Sequence, residues 1–161
     1  MKNSQMSSNE LKDNIVNFLK EHNQGALATC IGDDPRSSPV LYFLASNMNI
    51  YIPSAGGEKF NAIDSNPNVC LLVNTDYVDF RQIKGVQIFG KAITNLQKPS
   101  LVDEAKQQCM GIDVMKPNQG ELMVIKVIPE EVVYLDSLGD GDRTKQILRL
   151  DRLMEENNEY R

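Results

Sequence analysis

Short apolar runs separated by turn-length spacers fill the middle of this chain, and their spacing constrains the fold more than any other feature. Ala26–Ile31, Ser38–Ala45 and Asn49–Pro53 are joined through Gly32–Pro35 and Ser46–Asn49, which are rich in Gly, Asp and Asn. Spacers of this length and composition are typical of β-hairpins. The pattern therefore predicts a meander of antiparallel strands and not a βαβ repeat.

Further apolar runs extend this meander. They are Val69–Asn74, Ile83–Leu96, Leu122–Ile128 and Val132–Asp136, the last two being split by Pro129–Glu131. Gly85 and Gly90 lie within the second run, where glycine marks a bulge, a bend or the close approach of a backbone or ligand. Six or so short strands of this kind suit a small closed or half-closed barrel.

Helical patterns flank and interrupt the strands. Residues Ser7–Asn23 are predicted to form an amphipathic helix that opens on a capping box of Ser7 and Glu10. Other helices are predicted at Lys59–Ser65, Pro99–Met110 and Arg143–Asn157, the last as a strongly charged tail. No repeat or composition break divides residues 1–161, so the sequence predicts one domain with its barrel at about 25–136.

Charge and composition exclude several classes of protein. A net charge of −5 and a pI near 4.9 argue against a nucleic-acid partner, because such proteins neutralise phosphates with a basic stripe. Arg143, Lys145, Arg149 and Arg152 are interspersed with acidic residues and are interpreted as a solvated face. No apolar window has the length of a membrane span, and the N-terminus lacks a signal-peptide core. We therefore expect a cytoplasmic protein without a membrane partner.

The reactive side chains give no catalytic or metal motif. Cys30, Cys70 and Cys109 are widely separated, and His22 is the only histidine, so neither a zinc site nor a Ser/His/Asp triad is predicted. The cysteines are expected to be free thiols. Gly139–Asp142 lacks the pattern of a phosphate loop or a calcium loop and is predicted to be a surface turn.

The loop Pro53–Lys59 is the best candidate for a binding site. Gly56 and Gly57 allow backbone N–H groups to turn inward and form an anion cradle, and the following helix directs its positive N-terminus to the same point. Ser54 adds a hydroxyl donor and Lys59 a positive charge. These features predict a phosphate site; the alternative is a flexible hairpin-to-helix loop with an exposed lysine.

A proline lies in a predicted strand near this loop. Pro39 within Ser37–Tyr42 lacks a backbone N–H group, which implies either an edge strand or a position where a ligand interrupts the ladder. The residues alone leave both possibilities open.

Together these segments resemble the pyridoxamine-phosphate-oxidase-like superfamily of FMN-binding split barrels. The resemblance extends from about Gly25 to Asp136. It depends on the order of Ala28–Thr29, Pro35–Tyr42, Ile50–Ser54, Lys59 eight residues before Pro67, Gly85–Ala92 and Ile128–Val132. It implies a mainly β fold with flanking helices, a six-stranded antiparallel split β-barrel.

The resemblance also implies FMN as the cofactor, bound at the interface of a homodimer. The expected phosphate contacts are Ser54, Gly56, Gly57, Lys59 and Phe60, with Pro53 at the start of the loop. Around the isoalloxazine ring the expected contacts are Ser38, Pro39, Val40, Leu41 and Tyr42, with Gln87 reaching the flavin from the partner subunit.

Two departures from true pyridoxamine-phosphate oxidases argue against vitamin B6 oxidation. Those enzymes carry an arginine and a lysine near the positions of Ser38 and Phe43, and an arginine–histidine pair near the C-terminus, which this chain lacks. Lys59 is then the main charged contact expected for the phosphate.

The predicted function is that of an FMN-dependent oxidoreductase or flavin reductase acting on a small organic substrate or a nicotinamide donor. No residue stands out as a general acid or base; Tyr42 and Gln87 are candidates for orienting the ring or a substrate. The alternatives are a non-catalytic flavin-binding electron carrier, store or sensor, or a protein that binds haem or a deazaflavin instead.

Overall fold

A single curled antiparallel sheet forms the body of the protein. The computed structural model describes residues 5–109 and 121–151. Its strands are β1 (Gln24–Ile31), β2 (Asp34–Leu41), β3 (Phe43–Leu44), β4 (Ile50–Ser54), β5 (Asn68–Asn74), β6 (Lys84–Thr94), β7 (Met123–Asp136) and β8 (Gln146–Arg149). They are ordered β2-β1-β5-β6-β7-β4-β3, and β8 pairs with β7. This is the predicted split barrel, mainly β with flanking helices, although its sheet has eight strands instead of six.

Three helices accompany the sheet within the described residues: α1 (Ser8–Glu21), α2 (Glu58–Ser65) and α3 (Leu101–Gln108). The predicted N-cap of α1 is confirmed, because the Ser7 hydroxyl oxygen accepts a hydrogen bond from the Glu10 N–H group at 3.2 Å. Met110, predicted as the end of α3, lies outside the described residues.

Alternating side chains separate a buried face of the sheet from an outer one. The main core lies inside the barrel, where α1 contributes Ile15 and Phe18, and β1 contributes Leu27. Burying a large apolar side chain of this kind contributes about 1.5–3 kcal/mol. A second apolar cluster, which includes Tyr51 and Leu101, lies beneath α3.

The face of the sheet turned away from the core is only partly covered. We call it the outer face and define it by Leu72, Gln87, Phe89, Val133 and Ile147. Four of these form one cross-strand row, because Leu72 pairs with Gln87, Gln87 with Val133, and Val133 with Ile147. The row is continuous across β5 to β8 and leaves apolar side chains accessible.

The predicted break at Pro129–Glu131 is wrong, because β7 continues through it. The register with β6 shifts between Phe89 and Gly90, so Glu130 has no counterpart there. A bulge of this kind accommodates a proline within a sheet. A Cβ atom on Gly90 would lie 2.1 Å from the Ile128 carbonyl oxygen, which confirms the predicted close approach of a backbone at this glycine.

The helical prediction for the tail is also wrong where the structure describes it. Residues 146–149 form β8, which pairs with Glu131–Tyr134 of β7, and Leu148 is buried in the main core. Strand pairing and burial therefore override the local helical preference of a charged segment. The remainder of the predicted helix, from Arg152 onward, lies outside the described residues.

Candidate functional site

The loop between β4 and α2 brings its predicted phosphate contacts together. The Ser54 hydroxyl accepts a hydrogen bond from the Gly56 N–H group at 3.1 Å and donates one to the Gly56 carbonyl oxygen at 3.2 Å. Lys59 reaches back from the first turn of α2 and donates from Nζ to the same carbonyl oxygen at 2.7 Å. The Ser54 hydroxyl, the Gly56 backbone and the Lys59 ammonium group therefore lie in contact with one another.

The conformation of this loop requires both glycines. Gly56 and Gly57 each have a φ of +113°, a value that L side chains rarely adopt. Gly57 is also the N-cap residue of α2, and no side chain caps that end of the helix. The Phe60 N–H group donates to the Gly57 carbonyl oxygen at 3.2 Å, and the helix dipole makes this terminus attract negative charge.

Lys59 is held in a partly desolvated position. Burial lowers the pKa of its ammonium group, and Nζ lies 5.8 Å from the centroid of the Phe60 ring. Phe60 itself is buried in the main core and anchors the helix. Desolvation makes the lysine charge costly without an anion nearby, so an anionic ligand would stabilise it.

These groups fit a phosphate monoester. The Lys59 ammonium has three donors and uses one of them on Gly56, while the Ser54 hydroxyl would exchange its hydrogen bond to the Gly56 carbonyl oxygen for one to the anion. A Cβ atom at position 57 would lie at an ordinary van der Waals distance, 3.5 Å, from Lys59 Nζ, so it is the backbone conformation that requires glycine there. The loop therefore has the donors that an anion requires.

The predicted ring contacts lie along β2 and at its end. β2 is the terminal strand of the sheet and contacts β4, so Pro39 occupies an edge strand, one of the two alternatives that the sequence left open. Ser38 and Leu41 are half-buried, Pro39 is exposed, and Val40 is in the main core. An edge strand offers backbone N–H and C=O groups to a ligand.

Tyr42 has a defined partner inside the protein. Its hydroxyl donates to the carbonyl oxygen of Leu19 at 2.6 Å, and its ring is buried. Burial raises the pKa of this phenol well above its ordinary value. The hydroxyl joins α1 to the barrel, so we do not assign Tyr42 to cofactor binding. Pro53 is half-buried and pairs with Val124 of β7.

Gln87 is not brought to the loop within one protomer. Its side chain lines a cavity on the outer face, together with Leu72 and Val133, and no residue of the loop 53–59 lines that cavity. Its expected contact with a flavin held by the partner subunit stays a prediction.

Comparison with known proteins decides the family. Residues 11–136 match the profile of the family described as pyridoxamine 5'-phosphate oxidase. The chain belongs to the pyridoxamine 5'-phosphate oxidase family. It is also 26% identical over 146 residues to General stress protein 26 of Bacillus subtilis strain 168, covering 90% of this chain and 100% of that protein.

Solved structures of the same fold differ in the ligands given in their names. A haem-binding protein from Mycobacterium smegmatis superposes with a TM-score of 0.62 at 16% identity, covering 91% of this chain and 60% of the other. An FAD-binding protein from Mesorhizobium loti gives a TM-score of 0.52 at 20% identity, covering 79% of this chain and 90% of the other. At these identities the likeness establishes the fold alone.

An ionic cluster around Glu104 anchors α3 to the sheet. The sequence contained no indication of it. Glu104 accepts hydrogen bonds from the Tyr51 hydroxyl at 2.7 Å and from Lys98 at 3.2 Å, and Lys126 Nζ lies 2.9 Å away. Burial alone would raise the pKa of Glu104, but these partners together hold it below its ordinary value. No local pattern predicts this cluster, because its members come from four separate segments.

The cavity on the outer face is also lined by two cationic side chains. Both were interpreted from the sequence as part of a solvated face. Arg143 and Lys145 precede β8 and share that cavity with Gln87. Sequence periodicity could not place them there, since the strand that follows them was predicted as a helix.

The remaining predictions concern thiols, metals and membranes. Cys30, Cys70 and Cys109 are free, as expected, and burial raises the pKa of Cys109 to about 11. Gly139–Asp142 includes a turn, also as expected. Within residues 5–109 and 121–151, no group of acidic, Cys or His side chains could hold a metal ion. No helix in those same residues is long and apolar enough to cross a membrane.

Proposed function

We propose that this protein is a homodimeric FMN-binding flavoprotein and an oxidoreductase. The observation that carries the proposal is the convergence of Lys59, Ser54 and the open N-terminus of α2 on one point beside Gly56. A helix N-terminus next to a partly desolvated lysine is a combination suited to a phosphate group. Membership of the pyridoxamine 5'-phosphate oxidase family supports a flavin as the molecule that carries this phosphate.

Each part of the chain then has a separate task. The loop 53–59 would hold the phosphate, and the edge of β2 at Ser38–Leu41 would position the ring through backbone groups. Bound FMN would supply the redox chemistry, which protein side chains lack.

The outer face supports a homodimer. Its apolar residues Leu72, Phe89 and Ile147 are 38%, 39% and 46% exposed, and the loop 75–83 beside them exposes Val78 and Phe80 at 73% and 83%. Contiguous exposed apolar surface marks an interaction site. A two-fold axis over this face would let Gln87 of each protomer reach the flavin of the other.

Removal of the lysine charge tests the phosphate site. Lys59→Ala should raise the Kd for FMN by about 5- to 150-fold, since a charge-assisted contact is worth ~1–3 kcal/mol. Fluorescence titration of the apoprotein measures the Kd. Lys59→Arg should keep most of the affinity, and Lys12→Ala, on the exposed side of α1, should keep all of it. An unchanged Kd in Lys59→Ala would remove this loop from the site.

Two further measurements distinguish the alternatives. The absorption spectrum of freshly purified protein, with mass analysis of the released molecule, separates FMN from haem or a deazaflavin. A Soret band in place of flavin bands would contradict the proposal. Stopped-flow reduction by NADH and NADPH then separates an oxidoreductase from a carrier, which would be reduced no faster than free FMN.

A further inference from the structure

An acidic residue stands directly at the phosphate loop. Glu58 is the first residue of α2, follows the N-cap Gly57 and is the acid of the first helical turn. Its side chain is exposed, and Oε2 accepts a hydrogen bond from Asn61 Nδ2 at 3.4 Å. The carboxylate therefore lies within about one helical turn of the terminus that is proposed to attract the phosphate.

No ion pair with another described residue neutralises the Glu58 carboxylate. Its neighbour Lys59 is engaged differently, because Nζ donates to the Gly56 carbonyl oxygen. Both charges of this adjacent pair are therefore available to a ligand at the loop.

The strands that pack against α2 do not supply a counter-ion either. α2 contacts β1, which has no charged residue, and β6, which carries Lys84 and Lys91. Lys84 forms an ion pair with Asp136 at 3.8 Å, and Lys91 donates to the Asn68 side chain. The electrostatics of the loop therefore depend on Glu58, Lys59 and the helix terminus.

Glu58 has opposite effects on the empty loop and on the loop with a bound anion. A carboxylate in the first turn stabilises a helix, because it interacts favourably with the positive end of the helix dipole. A phosphate bound at the same terminus would be repelled by that carboxylate. Glu58 therefore stabilises the protein without a ligand and weakens the binding of an anion.

We propose that Glu58 is a specificity residue of the phosphate loop, which weakens binding more strongly with each negative charge that the ligand carries. The loop then distinguishes a phosphorylated flavin from riboflavin less strongly than Lys59 and the helix terminus alone would allow. One unit charge at a helix N-terminus changes an equilibrium about two- to fivefold. This inference rests on the proposed function, because the phosphate loop is its site.

A series of ligands with the same ring and increasing charge tests the selectivity. Riboflavin, the monomethyl ester of FMN and FMN itself are titrated into apoprotein at pH 8, where the phosphate of FMN is doubly charged. Compared with the wild type, Glu58→Gln should bind riboflavin equally, the ester about threefold more tightly and FMN about ninefold more tightly. Equal gains for all three ligands, or no gain for FMN, would overturn the proposal.

Control variants separate the charge at this position from other effects. Glu58→Asp keeps the carboxylate and should retain the wild-type affinities. Glu10→Gln removes an acid from the first turn of α1 and should change none of the three affinities.

Thermal unfolding provides a measurement that a purely structural role would not reproduce. Glu58→Gln should lower the Tm of the apoprotein and increase the rise in Tm that FMN causes, because the same charge stabilises the empty loop and repels the ligand. A lower Tm without a larger response to FMN would mean that Glu58 acts on the helix alone.

Failure of this proposal can be told from failure of the flavin proposal by measuring Lys59→Ala in parallel. Weaker FMN binding in Lys59→Ala, with an unchanged Kd in Glu58→Gln, would retain the flavin site and reject the role of Glu58. If no flavin binds, inorganic phosphate replaces it in the titrations. Phosphate binding that is lost in Lys59→Ala and strengthened in Glu58→Gln would retain the role of Glu58 and reject the flavoprotein, whereas phosphate binding that neither variant alters would reject both.

Discussion

Gly57 is the position where a single methyl group tests the geometry of the phosphate loop. Its φ of +113° combines with a ψ of −179°, a region that is essentially restricted to glycine. Gly57→Ala should therefore destabilise the fold by about 1–3 kcal/mol through backbone strain. It should also weaken FMN binding, since the strained loop withdraws its N–H groups from the cradle. Urea unfolding and FMN titration measure the two effects.

Gly139→Ala is the matched control for that substitution. Gly139 is not among the glycines with positive φ, and a Cβ atom there has no neighbour within 4 Å. The control should therefore change stability by less than about 0.5 kcal/mol. Equal losses in both variants would show that loop strain at Gly57 is not responsible.

Helix α1 is joined to the barrel by side chains that satisfy its C-terminal carbonyl groups. The last carbonyls of a helix have no partner within it. The Tyr42 hydroxyl donates to the Leu19 carbonyl oxygen, and Nδ1 of His22 lies 2.8 Å from the Phe18 carbonyl oxygen. Tyr42→Phe should leave the buried Leu19 carbonyl unsatisfied and cost ~1–3 kcal/mol of stability.

The consequence of Tyr42→Phe should be confined to α1. Amide hydrogen exchange should speed up over residues 8–21, while the FMN Kd stays within twofold. Tyr77→Phe removes a hydroxyl from an exposed residue and should leave both stability and exchange unchanged. A large loss of FMN affinity in Tyr42→Phe would return this tyrosine to the cofactor site, as the sequence first indicated.

The sequence predicted those elements whose signals are local. The Ser7 N-cap of α1, the hairpin spacers and the paired glycines at positions 56 and 57 each act within a few residues, and the structure contains all of them. Strand β8 could not be predicted in this way. Its four residues are held by pairing with β7 and by burial of Leu148, which are contacts made across the fold.

The same reasoning explains why half of the candidate site was predicted and half was not. The loop 53–59 is contiguous in sequence, so its hydroxyl, glycines and lysine could be recognised together. The outer-face cavity takes Tyr77, Gln87 and Arg143 from separate segments, and of these only Gln87 was expected at a site, through the family resemblance. Pairing of the strands that carry or flank these residues brings them together, and periodicity does not specify that pairing.

Dimer formation would bring together the two parts of the proposed flavin site, the phosphate loop 53–59 and Gln87. In a homodimer formed through the outer face, the phosphate loop of one protomer and Gln87 of the other would serve the same flavin. Phe89→Lys should therefore have two effects at once. It places a charge on the outer face, where Phe89 is 39% exposed, and should shift the protein from dimer to monomer in analytical ultracentrifugation.

The monomeric variant should also bind FMN more weakly, although it retains Lys59 and the whole loop. Leu96→Lys is the matched control, because Leu96 is 64% exposed and lies in the turn after β6, outside the outer face. It should leave both the dimer and the FMN Kd unchanged. A monomeric Phe89→Lys variant with the wild-type Kd would mean that one protomer binds the flavin alone, and Gln87 would then have no part in the site.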